Sequence, residues 1–253
     1  MRARLIRLAP EEHLLVLVVH HLAFDGWSVG VFWTEFHAAY RAALSQGPAP
    51  TLPVVGYRDF AAWQRERLTG ALLDGQLAYW RERLTGTAPL ELPTDHPARR
   101  PSGRGDHVDF TLPAALLADL RAVGQRQNAT LFMVLLAGFQ ALLARWSGGT
   151  DIAVGAPIAG RDRAELESLI GFFVNTLVLR TDLSGDPTFE DLVARARETA
   201  LVPTPTRTSP SNGWWRRCGR SGTSAATRCS RSCWYSTTRP RHRPGSRASR
   251  PSP

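Results

Sequence analysis

A chain of 253 residues with 43% apolar content has material for one large domain or two of roughly 150 residues each. Its net charge of +9 is unevenly spread: all 31 basic residues are arginine, and 11 of them lie between Val202 and Pro253, where no acid occurs. Residues 1–201 therefore hold 20 arginines against 22 acids, a net of −2, and no cysteine, so this body is mildly acidic and its cysteine count excludes a disulfide-built fold.

The opening MRARLIRLAPEEHLLVLVVHH does not form a signal peptide, because Pro10, Glu11 and Glu12 interrupt it and no small-residue cleavage site follows. No stretch approaches the ~20 apolar residues that span a bilayer, so the body reads as cytosolic and without a membrane partner. His13 to Leu22, rich in Leu and Val, reads as a buried strand. Gly26 breaks it, and Ser28 is placed to cap a helix whose stripe is Val29, Phe32, Trp33, Phe36 and Tyr40. Pro48, Pro50 and Pro53 make a loop. Tyr57 to Leu84 reads as two helical pieces broken at Thr69 and Gly70, burying Phe60, Trp63, Leu73, Leu77, Trp80 and Leu84. LPTDHPARRPSGRG, from Leu92 to Gly105, looks like a crossover between lobes.

A short strand from His107 to Thr111 is expected next, then a helix from Pro113 to Arg126 with Leu116, Leu117, Leu120 and Val123 on one face. A second helix runs from about Thr130 to Trp146. Asp151 to Pro157 and Phe172 to Arg180 are strand-like, and Thr188 caps a last helix through Leu201. Helices and strands mix without a glycine-rich nucleotide fingerprint, which gives an α/β or α+β class.

The chemistry concentrates in HHLAFDG, His20 to Gly26. A histidine at a strand end before a sharp turn is placed for general base work, since imidazole titrates near pH 6.5. Asp25 would brace the turn through hydrogen bonds or an arginine partner, and Gly26 would supply a φ that other residues resist. The plainer reading is a pair of core histidines before a glycine turn. A zinc site is disfavoured, because adjacent side chains on a strand point to opposite faces and neither His13 nor His37 completes a HExxH-like pair.

Three stretches change the balance. HHLAFDGWS resembles the HHxxxDG signature of the condensation domains of nonribosomal peptide synthetases. YRDFAAWQ (Tyr57 to Gln64) resembles a second motif of that family, and GAPIAGRDRAELESLIGFFVNTLVLR (Gly155 to Arg180) a third, with IGFFVNT at its core. Read from the residues alone, the second and third are core packing, through Phe60 with Trp63 and Phe172 with Phe173 and Leu177. Asn175 could hydrogen-bond in a channel.

The resemblance implies an incomplete two-lobed fold, each half like chloramphenicol acetyltransferase, with the histidine motif in a tunnel between the lobes. Residues 1–90 would be the C-terminal part of the first lobe, unable to bury a complete core alone, and residues 91–201 the first part of the second. It implies amide formation between a donor acyl thioester and the amine of an acceptor aminoacyl thioester. Both would be held on 4'-phosphopantetheine arms of carrier domains beside an adenylation domain, with no cofactor or metal bound by this chain. His21 would be catalytic, as a base or as a group that positions and stabilises the tetrahedral intermediate, with His20, Asp25 and Gly26 in support. Two alternatives stay open: an acyltransferase of the same superfamily using a free acyl-CoA, and a non-catalytic remnant. The chain as it stands is expected to be inactive.

The stretch after Leu201 departs from the family, which continues with His-Gln-Asp-x-Pro-Phe-Glu and Arg-Asp-x-Ser-x-Asn-Pro-Leu-Phe-Gln. Here Trp, Cys and Arg crowd together without periodicity. The absence of lysine and the abundance of Arg, Ala, Gly and Pro point to a GC-rich gene. With GC-leaning codons and one base inserted in the codon of Val202, the shifted frame can read AHQDLPFE and then RDLSRNPLFQ. Residues 202–253 are therefore expected to be an out-of-frame, disordered tail. Its arginines then need no nucleic-acid partner, and Cys218, Cys229 and Cys233, spaced eleven and four apart, form no zinc knuckle. The DNA after codon 201 is expected to encode those motifs in a shifted frame, and DNA with no frame that encodes them would overturn this.

Overall fold

The computed structural model of the chain describes residues 1–45, 47, 48, 50, 51, 53–93, 108–202 and 206. Two antiparallel ribbons organise them. β1 (Arg2–Ala9) pairs with β2 (Glu12–Val18), setting Leu5 opposite Leu15. β3 (Asp151–Ile158) pairs with β4 (Asn175–Asp182), setting Val154 opposite Leu179. Around them lie α1 (Gly26–Ser45), α2 (Tyr57–Arg67), α3 (Gly70–Leu84), α4 (Ala114–Arg126), α5 (Leu131–Ser147), the short α6 (Ala164–Glu167) and α7 (Phe189–Ala200). The class is mixed helix and sheet, as the alternating patterns predict.

Ile152, Ala153 and Val154 are buried in succession, as are Leu177, Val178 and Leu179. Side chains alternate between the faces of a strand, so unbroken burial means that both faces of the β3–β4 ribbon are covered. α5 packs on β3, α7 on β4, and the two helices pack on each other. Fully buried Val134, Leu136, Ile152, Val154 and Val193 each contribute about 1.5–3 kcal/mol. Leu77 and Trp80 of α3 enter this same core, so packing runs continuously across residue 90. A second cluster joins Phe60 of α2 to Leu166, Leu169 and Phe173, with Tyr57 and Trp63 against it.

The helix ends follow local chemistry. Thr130 and Thr188 cap α5 and α7 through their hydroxyls. Gly148, at φ 71°, closes α5 in the left-handed conformation that glycine tolerates. The break at Thr69 and Gly70 separates α2 from α3, with Gly70 at φ 52°.

Several expectations are corrected. α1 starts at Gly26, and Asp25, not Ser28, caps it: the Asp25 carboxylate accepts the Ser28 backbone N–H at 2.8 Å. Gly26 is the first helical residue and does not have a positive φ. Phe172 to Val174 stand outside β4, and the Phe172 carbonyl and Phe173 N–H bond to Tyr57 and Asp25 rather than in the ladder. Residues 108–111 form no strand, and Val108 and Phe110 stand exposed; His107 and most of the 92–105 crossover lie outside the described residues. The run in β2 is not buried: Leu14, Val16 and Val18 are exposed and Leu15 and Leu17 half-buried. On α1, Val29, Trp33 and Tyr40 are exposed, while Phe36 stacks between Phe32 and Tyr40 at 5.8 and 6.2 Å.

Val202 is buried in the main core, and the Thr206 carbonyl accepts the Trp80 indole N–H at 3.0 Å. The rest of the expected tail, with its three cysteines, lies outside the described residues. Among those described, no single helix is long and apolar enough to cross a membrane.

Candidate active site

β2 delivers the chain to His20, which begins a 3-10 turn, His21–Ala23. The two adjacent histidines then take opposite tasks. His20 Nδ1 accepts the N–H of Leu22 at 3.1 Å, so its ring caps its own turn. His21 Nδ1 lies 2.7 Å from the Phe24 carbonyl. A carbonyl only accepts, so Nδ1 carries the proton, and in the neutral ring Nε2 is left bare. His21 is exposed. A bare, accessible imidazole nitrogen is what a general base requires.

Asp25 does the reverse of a reagent's work: it is 1% exposed and fully engaged. Oδ1 accepts the Ser28 N–H at 2.8 Å and lies 2.7 Å from Ser28 Oγ. Oδ2 accepts the Phe173 N–H at 3.0 Å. The Arg161 guanidinium reaches both oxygens, at 3.0 and 3.3 Å, with its side chain as buried as the carboxylate. Burial pushes the Asp25 carboxyl up, but the hydrogen bonds from Ser28 and Phe173 and the charge of Arg161 outweigh it and hold it below the usual carboxylate range.

Arg161 is itself held from three sides. It donates to the Leu166 carbonyl at 2.9 Å, lies 3.2 Å from Ser28 Oγ and stacks 3.8 Å from the centre of the Phe173 ring. Gly160 makes its approach possible: at φ 64° it passes against the Phe173 carbonyl where a Cβ would collide.

The histidine turn is thus bolted to residues 161–173. Asp25 N–H donates to the Gly171 carbonyl at 3.0 Å, Gly171 N–H to Ser28 Oγ at 3.0 Å, Trp27 Nε1 to the Glu167 carbonyl at 2.9 Å, and Tyr57 Oη to the Phe172 carbonyl at 2.8 Å. A Cβ on Gly171 would fall inside the Tyr57 ring. Burial, and then the Asp25 charge, push the Tyr57 phenol up, which keeps it a neutral donor.

His20, His21, Asp25 and Gly26 therefore share one turn, with His21 facing out and Asp25 facing in. Tyr57, Arg161 and Gly171 complete the arrangement, and the sequence reading missed their roles. All three stood inside the family-like motifs, which supplied the available signal, but nothing local says that Arg161 rather than another arginine meets Asp25. Asn175 opens β4, where its Oδ1 accepts the Thr176 N–H at 3.0 Å. No group of three or more His, Cys, Asp or Glu able to hold a metal occurs among the described residues.

The family profile described as Condensation domain matches residues 1–213. A linear gramicidin synthase of Brevibacillus parabrevis is 52% identical over 207 residues, covering 79% of this chain and 4% of that protein. The X-domain from teicoplanin biosynthesis, solved in complex with OxyB, is similar at a TM-score of 0.79 and 32% identity, over 85% of this chain and 49% of that one. The first condensation domain of the calcium-dependent antibiotic synthetase, solved with a substrate analogue, is similar at a TM-score of 0.69 and 25% identity, over 88% of this chain and 52% of that one. The chain thus spans a few per cent of that synthase and about half of these solved domains.

Proposed function

Since the chain belongs to the condensation-domain family of nonribosomal peptide synthetases, we propose that its His21 site forms amide bonds between carrier-bound substrates. The acceptor amine attacks the carbonyl carbon of the donor thioester, forming the C–N bond. The proton shed by the amine moves to His21 Nε2. The C–S bond then breaks, and the departing thiolate takes that proton, leaving amide and free thiol. The observation that carries this reading is the outward, exposed His21 whose Nδ1 is committed to the Phe24 carbonyl. His20, Asp25 and Gly26 support the turn rather than react. Donor and acceptor would arrive on 4'-phosphopantetheine arms of carrier domains, loaded by an adenylation domain, in the cytoplasm and without nucleic acid or membrane.

The test joins residues 1–201 of this chain to the preceding and following parts of a gramicidin synthase condensation domain, so that both lobes are complete, and supplies donor and acceptor on separate carrier proteins. Intact-mass spectrometry is expected to show the extended product on the acceptor carrier, and none when the donor is free acyl-CoA. Efficient transfer from acyl-CoA would point to the acyltransferase alternative. The complex of the teicoplanin X-domain with OxyB favours a second reading, a domain that docks a partner without catalysing. Absence of product with either donor would support it.

A further inference from the structure

We propose that Phe172 is a positioning residue for His21, an aromatic wall that keeps the imidazole in the orientation with Nε2 bare. Its catalytic meaning rests on the amide-forming reading, but its geometry does not. His21 is exposed and, among the described residues, its ring has a single hydrogen bond, from Nδ1 to the Phe24 carbonyl. One bond at the edge of an exposed ring leaves the side chain free to swing into water. The Phe172 ring stands against it, with centroids 5.3 Å apart and planes at 87°, a favourable edge geometry.

A wall must itself be fixed, and this one is. The three residues 171–173 are pinned by hydrogen bonds from the other side of the site. Gly171 is held through its carbonyl by Asp25 N–H and through its N–H by Ser28 Oγ, both at 3.0 Å. The Phe172 carbonyl accepts Tyr57 Oη at 2.8 Å, and Phe173 N–H donates to Asp25 Oδ2 at 3.0 Å. The Phe173 ring is buried with Phe60 and under Arg161, while Phe172 is half-buried and meets His21. The clamp on Asp25 and the orientation of His21 thus connect through one side chain. Because every bond of the clamp to residues 171–173 uses their backbone, truncating the Phe172 side chain removes the wall and spares the clamp.

The test is 15N NMR of the histidine rings in the full chain, at a pH where His21 is neutral, with the His21→Gln variant identifying its signals. The wild type is expected to show Nδ1 protonated and Nε2 bare. Phe172→Ala is expected to shift His21 toward the opposite tautomer, with Nε2 protonated, as the bond to Phe24 opens. Phe172→Tyr, which keeps the ring, is expected to retain the wild-type pattern. Tyr57→Phe, which frees the Phe172 carbonyl and changes no apolar contact, is expected to move it in the same direction by less. A wild-type tautomer pattern in both Phe172→Ala and Tyr57→Phe would overturn the inference. Amide formation that survives loss of His21, alongside a shifted tautomer in Phe172→Ala, would instead sink the functional reading and leave the positioning intact.

Discussion

Alanine at position 21, in the joined domain, is expected to lower the rate of amide formation by about 10²–10⁴-fold, the range that a positioned general base supplies. Thermal unfolding should move little. His21 is exposed, and among the described residues its ring makes one hydrogen bond and one aromatic contact, so its removal opens no cavity in the core. The loss should fall on turnover at saturating carriers, because Nε2 acts on the attacking amine rather than in docking. The neighbouring histidine provides the internal contrast: His20 Nδ1 is spent on the Leu22 N–H, so the His20→Ala variant disturbs the turn without removing the base. Undiminished product formation by His21→Ala would remove His21 from the chemistry.

Replacing Arg161 by leucine is expected to cost about 3–5 kcal/mol of stability, the usual penalty for stranding one partner of a buried ion pair. Against a total of about 5–15 kcal/mol for a domain, that is enough to unfold a marginal protein. The Asp25 carboxylate would keep Ser28 and Phe173 as donors but lose its only counter-charge among the described residues. The urea midpoint at pH 7 should fall, and Asp25→Asn in the same background should recover part of the loss, because an amide needs no opposite charge. A wild-type midpoint for Arg161→Leu would show that the pair contributes no net stability.

The same pair sets an acid limit. Asp25 is held below its unfolded value, which lies near 3.9. Its contribution is therefore fully present above about pH 4 and is lost as pH falls through the folded value. The wild-type midpoint should drop over that interval. Arg161→Leu, which has already lost the interaction, should drop less.

The parts legible in the sequence are those governed by neighbours within a turn. Thr188 reads as a cap because a hydroxyl reaches the third N–H along the same helix, and α2 and α3 separate at Gly70 because glycine tolerates φ 52°. The HHLAFDG stretch was legible as a turn for the same reason, since His20, His21 and Phe24 all bond within four residues. Local pattern misled where a distant partner competes. Phe172 and Phe173 have the composition of a strand, yet their backbone bonds go to Tyr57 and Asp25 rather than to β3. Leu14, Val16 and Trp33 have the pattern of core positions but stand exposed, and periodicity records an apolar face without saying what lies on it.

By itself, then, the sequence determined the mixed class, the break between α2 and α3 and the cap of α7, because these depend on interactions between near neighbours. Only the tertiary structure decided which arginine meets Asp25, 136 residues away, and which N–H completes its clamp, 148 residues away. It also decided which aromatic ring stands against His21. Such contacts exist only once chain closure has brought remote segments together, and no residue type or spacing along one chain encodes that choice.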